Sequence, residues 1–195
     1  ALLINAAAQL GNDVARKFDV ELLDLMDNFS NGVGQDDALT FLLFMDAIAT
    51  LEANDAARPY NAVLHPLQVY GSYGLGQEFS NMATPAFTGS GSFAGQASDS
   101  IKNQFQTAGL VTNVAGVGIY TTTAVLTGAT GRKEGGMFSR GAIGCGYLDF
   151  GGGGFIQMAS EREEAYAKTT LVANAYYAGA ELVDVWGVEV DTEVS

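Results

Sequence analysis

Few residues in this chain have the types and spacing that do chemistry. His65 and Cys145 are its only histidine and its only cysteine. A disulfide within the chain and a Cys/His zinc site are thereby excluded, and a Cys–His nucleophile pair would need these two distant residues to meet. His65 follows the apolar run Asn61-Ala62-Val63-Leu64 and precedes Pro66, the setting of a core or helix-cap histidine rather than a catalytic base. Cys145 lies in Gly144-Cys145-Gly146 on a predicted strand, with Arg140 the one nearby cation that would activate it, so a buried, inert thiol is expected. The carboxylate pairs Asp36/Asp37 and Glu163/Glu164 fall at predicted helix starts, where they serve the helix dipole instead of forming an acid/base pair. The triplets Gly71, Gly74, Gly76 and Gly141, Gly144, Gly146 do not form the strand-to-helix G-x-G-x-x-G of a dinucleotide site. Gly128-Ala-Thr-Gly-Arg-Lys-Glu lacks the Gly-Lys-Ser/Thr order of a phosphate loop, and no Gly-x-Ser-x-Gly elbow occurs. Asn28-Phe29-Ser30 matches a glycosylation sequon of the kind expected by chance. These residues predict no catalytic site, no metal and no cofactor.

The elements that must carry these residues belong to a chain of 195 residues, 48% hydrophobic, with a mean hydropathy of +0.14. That is enough for one large domain or two interleaved ones. The 22 acidic and 9 basic side chains give a net charge of -13, the wrong sign for wrapping phosphate backbone by attraction. No apolar run approaches the roughly 18 residues of a membrane span, so a soluble chain without membrane partners is expected. Ala1 opens in helix-like sequence without a signal peptide, which predicts that the natural N-terminus lies upstream.

Charge divides the chain into three parts. Residues 1–55 carry 10 acids and 2 bases, residues 56–160 carry 4 and 5, and residues 161–195 carry 8 and 2. The two ends therefore resemble each other, which predicts one acidic region built from both termini around a near-neutral insertion. Leu3, Ala7, Leu10, Val14, Phe18, Leu22 and Leu25 recur at spacings of three and four, predicting one long amphipathic helix over 1–28. A second helix is predicted from an Asp36 or Asp37 cap to about Ala57, followed by a short buried strand at 61–65 and a helical turn opened by Pro66. From Gly71 to Gly95 the sequence reads as a long flexible surface segment. Leu110–Val114 and Val117–Thr123 read as paired strands joined at Ala115-Gly116, and the 14 glycines among residues 109–154 argue against a helical middle. Ser160 to Glu164 reads as a capped helical turn, and two long strands follow, over 166–177 and 181–190. Helices first and strands last make an α+β fold.

The order of these pieces has a likeness. The long acidic helix carries Arg16-Lys17-Phe18-Asp19, a helix ends before Ala62-Val63-Leu64-His65-Pro66-Leu67-Gln68, and Gly109-Leu-Val-Thr-Asn-Val-Ala-Gly-Val-Gly-Ile-Tyr-Thr-Thr follows. The close runs from Arg162-Glu-Glu-Ala-Tyr through Tyr176-Tyr177-Ala-Gly-Ala-Glu-Leu-Val to Gly187-Val-Glu-Val. Over nearly its whole length the chain resembles the major capsid protein of tailed phages. The resemblance implies the Hong Kong 97 type capsid fold. A peripheral domain, residues 1–34 and 158–195, would hold the long spine helix and the closing strands, and an axial domain, residues 35–157, would be inserted between them. It also implies a structural, non-enzymatic subunit of a virion, assembling with itself as hexamers and pentamers into an icosahedral shell. That shell would enclose double-stranded DNA without binding it specifically, with scaffold, portal and cement proteins as further partners. The Gly-rich stretches 71–95 and 127–136 would be loops at subunit interfaces. The family's N-terminal arm and extended hairpin loop have no counterpart in these residues. A cellular nanocompartment shell of the same fold is the alternative, and a hydrolase or carbohydrate-binding module the remote one.

Overall fold

In the computed structural model, residues 2–34, 38–72, 74–76, 113–128, 131–149, 156–164 and 168–193 are described. Helix α1 spans Leu2–Leu23 and tightens into a 3-10 turn at Asp24–Asn28. The predicted stripe is half-buried rather than buried along most of α1, and only at Leu23, Met26 and Phe29 does this segment enter a core. Its support is thin: two separate two-stranded sheets and, at its C-terminal turn, the face of the main sheet.

After strand β1 (Gly32–Val33), helix α2 covers Phe41–Ala53. Its cap is Thr40, whose Oγ1 accepts from the Leu43 N–H at 3.2 Å, so the helix starts later than the Asp36/Asp37 reading placed it. Phe44, Ala47, Ile48 and Leu51 form its buried face at the spacing of one helix side. Strand β2 (Tyr60–Leu64) alternates buried and half-buried side chains, and Pro66 opens the short helix α3 (Pro66–Tyr70). Strands β3 (Asn113–Val114) and β4 (Val117–Thr121) pair antiparallel as expected. Ala115 and Gly116 both take positive φ, 53° and 83°, the two-residue turn whose twist matches a hairpin.

Seven strands make the main sheet, in the order β1-β11-β6-β2-β4-β3, with β5 (Leu126–Thr127) also pairing β6 (Lys133–Ser139). The last strand, β11 (Gly187–Thr192), lies parallel to β1 and antiparallel to β6. Its Val188 and Val190 enter the same core as Phe44, Leu51, Leu64 and Met137. The end of the chain therefore joins the sheet built by the middle of the sequence, a pairing that charge alone did not foretell.

The second half of the chain differs from its sequence reading in three places. Ser160 to Glu163 lie in strand β8 (Ile156–Glu163), which pairs residue for residue with β9 (Lys168–Ala175). A Ser-x-x-Glu spacing imitates a capping box, but the cross-strand partners decide the conformation. The strand expected over 181–190 is broken: β10 (Tyr177–Glu181) ends where it was expected to begin, and a 3-10 turn at Asp184–Trp186 precedes β11. Thr127 to Gly136 is not one loop, since Lys133 to Gly136 lie in β6 in mid-sheet. Strands β7 (Ile143–Tyr147) and β10 (Tyr177–Glu181) form a third sheet that meets α1, with Phe18 edge-on to Tyr177 at 4.7 Å. Residues 77–95 and 110–112 of the earlier readings, and Asp36 and Asp37, lie outside the described residues.

Candidate functional site

His65 and Cys145 lie on different elements. His65 is the N-cap of α3: its Nδ1 accepts from the Leu67 N–H at 3.1 Å. Burial, then the nearby charge of Lys133, holds its imidazole below the ordinary histidine value, which keeps the accepting nitrogen unprotonated. Gln68 completes the cap, its Oε1 accepting from the His65 N–H at 2.8 Å. Cys145 sits on β7 and is exposed, so the expectation of a buried thiol fails: β7 belongs to a two-stranded sheet and is exposed from Cys145 to Tyr147. Glu163 ends β8 rather than starting a helix. In the sequon, Phe29 is buried and Ser30 is bound through both its N–H and its hydroxyl to the Asp184 carboxylate. Gly71 closes α3 through its N–H to the Leu67 carbonyl, and Gly128 closes the β5–β6 turn through its N–H to the Arg132 carbonyl. Neither turn is a phosphate cradle at a helix start.

What the surface does carry is apolar area. Ile4 is 73% exposed on α1, and Met158 on β8 and Val172 on β9 are exposed close to it. Ile4, Ala7 and Leu10 with Met158, Leu171 and Val172 line an open groove of about 250 Å3 between helix and hairpin. Toward the other end of α1, Leu22, Leu23 and Met26 with Val63, Phe138 and Ile143 line a groove of about 390 Å3 that also touches Asp19 and Cys145. A third exposed group surrounds the β7–β10 sheet: Tyr147, Leu148, Tyr176 and Leu182, the last 64% exposed. The hairpin β8–β9 is exposed along most of both strands, and a two-stranded ribbon is marginal without cover. Single exposed apolar residues are ordinary, whereas three patches gathered along one helix and its sheets are the mark of contact surfaces. The sequence missed the β8–β9 patch because Ser160 to Glu164 imitated a helix start. The signal was there in the alternation Ile156, Met158, Ser160 on one strand face.

One cluster of ionisable groups was also missed. Carboxylate oxygens of Asp27, Glu134 and Glu189 lie within 4.8 Å of one another. Burial first, then the charges of Asp27, Asp191 and Glu134, push the Glu189 carboxyl up to about 7, against a smaller opposing effect of Arg132. Glu134 is raised for the same kinds of reason. Arg132 pairs with Asp191 at 3.1 Å beside them. Converging carboxylates are common on protein surfaces, and no further feature here points to a bound cation.

The chain matches no protein-family model and no curated protein sequence. Solved structures do resemble it. The capsid of the cyanophage P-SCSP1u superposes with a TM-score of 0.63 at 16% identity, over 98% of this chain and 66% of that one. A chain from Mycobacterium phage Che8 gives 0.64 at 14% identity, over 92% of this chain and 60% of that one. The holo-SrpI encapsulin complex from Synechococcus elongatus PCC 7942 gives 0.67 at 15% identity, over 96% and 65%. The chain thus spans 60 to 66% of the length of the chains it resembles. Its long helix, α+β composition and central sheet have the Hong Kong 97 type capsid fold.

Proposed function

We propose that this protein is a shell-forming subunit, the major capsid protein of a tailed phage, which assembles as hexamers and pentamers into an icosahedral head around double-stranded DNA. The observation that carries the reading is the likeness to the cyanophage capsid over 98% of the chain. The apolar patches along α1, β8–β9 and β7–β10 support it, because symmetric contacts between copies would cover what one copy exposes. Function then lies in contact area and geometry, without catalysis. Residues 1–34 with 158–195 would form the peripheral part and 35–157 the axial part, with β11 tying the former into the sheet of the latter. With 22 acidic side chains against 9 basic ones, the subunit would confine DNA rather than grip it. Scaffold, portal and cement proteins would be its partners in the virion.

A second reading has its own support: the encapsulin complex resembles the chain as closely as the phage structures do. In that reading the shell holds protein cargo inside a cell. The two are separated by what purified particles contain. Nuclease-protected double-stranded DNA filling the particle supports the phage head, and a protein cargo with no protected nucleic acid overturns it in favour of the nanocompartment.

A further inference from the structure

We propose that the end of the long helix is fastened to the main sheet by a proton-holding carboxylate cluster, Asp27, Glu134 and Glu189, which loosens as the pH rises past neutrality. The junction is built from both sides. On the apolar side, Met26 and Phe29 are buried against β6 and β11. Gly136 and Gly187 make that approach feasible: a Cβ on Gly136 would meet Met26 Sδ at 2.8 Å, and one on Gly187 would overlap the Phe29 ring. On the polar side, Asp27 projects from the same 3-10 turn between those two anchors. Register brings the sheet's acids beneath it, because Glu189 pairs with Gly136 and Asp191 with Glu134. Side chains alternate along β11, so Glu189 and Asp191 share the face opposite Val188 and Val190, which belong to the core with α2.

Among the described residues, the charges that bear on Glu189 come from four side chains. Asp27 comes from the helix end, Glu134 from β6, Asp191 from β11 itself and Arg132 from the residue ahead of β6, while β1 (Gly32–Val33) contributes none. Four carboxylates face one guanidinium, and that guanidinium is paired with Asp191. Two ionised carboxylates this close repel, whereas a protonated one donates a hydrogen bond to its neighbour. With a proton held, the cluster joins helix to sheet. When it leaves, the same atoms push the 3-10 turn away from β6 and β11, opposed by Met26 and Phe29. The folded value of Glu189, about 7, lies above that of an unfolded glutamate, so the stabilising contribution is complete at low pH. It is lost as pH rises through the folded value. The titration belongs to the cluster as a whole.

Trp186, the only tryptophan, packs against both the helix-end cluster and the main core, and therefore reports on this junction. The test is thermal unfolding and Trp186 emission of the full chain from pH 5.5 to 8.5, for the wild type, Glu189→Gln and Asp27→Asn. Taking the difference from Glu189→Gln removes other titrations. On that difference, the wild type is expected to lose on the order of 5 °C in Tm across the range, centred near neutrality. Its Trp186 emission should shift with the same midpoint. Glu189→Gln abolishes both, and Asp27→Asn moves the midpoint to lower pH by removing one repelling charge. The proposal is overturned if Glu189→Gln keeps the wild-type pH profile, or if Asp27→Asn leaves the midpoint where it was. Neither outcome depends on whether the protein forms a shell.

Discussion

Replacing Gln68 by leucine tests how the final strand is locked into the fold. Gln68 is fully buried on α3. Its Nε2 donates toward the Lys133 carbonyl at 2.8 Å, the Val190 carbonyl at 3.0 Å and the Thr192 hydroxyl at 2.7 Å. Its Oε1 accepts from the His65 N–H. One side chain thus ties α3 to β6 and to β11, two strands that pair across a long stretch of sequence, Lys133 with Thr192 and Phe138 with Gly187. Leucine has a similar size and no polar atom, so packing is largely kept while the polar partners lose their mate. The two strand carbonyls retain ladder geometry, and the Thr192 hydroxyl can rotate, so the cost falls between one and two fully orphaned groups plus the lost bonds. At about 1 to 3 kcal/mol for each buried group left unsatisfied, we expect a loss of about 3 kcal/mol. For a chain of this size that is a fall in Tm of about 6 to 12 °C. Urea unfolding followed by circular dichroism and by Trp186 fluorescence gives the value, with an unchanged m-value expected. A loss below about 1 kcal/mol would refute the idea that this amide holds the last strand in place.

Further outcomes are expected for His65, Cys145, the β8–β9 patch and the net charge. His65→Ala should cost about 1 kcal/mol and His65→Asn much less, since asparagine also caps helices, as denaturant midpoints would reveal. The His65 contribution is complete above the unfolded value of about 6.5 and is lost as pH falls from there through its depressed folded value, a sign opposite to that of Glu189 and absent in His65→Asn. Cys145 should react with one equivalent of a thiol reagent in the folded, unassembled subunit, and protection without denaturant would contradict its exposure. Met158→Asp or Val172→Asp should leave the subunit's circular dichroism and Tm nearly unchanged while reducing assembly measured by light scattering. Moderate monovalent salt should promote assembly, because copies of charge -13 repel within a Debye length of about 10 Å at 0.1 M, and a shell that falls apart as salt rises would contradict this.

Much of the fold was legible because its elements have strong local causes. The three-and-four spacing from Ala7 to Leu25 made α1, the apolar run at Asn61 to Leu64 made β2, and Ala115-Gly116 made the β3–β4 turn. His65 before Pro66 was readable as a cap for the same reason. The failures are tertiary. Ser160 to Glu163 carry a local helix-start signal, yet each residue has a partner across β9, and pairing outweighs propensity. Val183 to Val190 alternate like one strand, but Ser30 binds Asp184 and the chain turns there into the sheet. Cys145 lies on the predicted strand, but that half of β7 is exposed in a two-stranded sheet. The Asp27, Glu134 and Glu189 cluster joins residues from three distant parts of the sequence, and only the β6–β11 register brings them together. Charge marked both ends of the chain as acidic, while the hydrogen-bonded place of β11 in the main sheet depended on Gln68 and the valines of its inner face.

The central claim is that this subunit works by closing with copies of itself into a shell, and electron microscopy of the natively purified protein tests it most directly. The account predicts closed, isometric particles of many copies. A protein that stays monomeric across concentration and salt, and that carries an enzymatic activity, would contradict it.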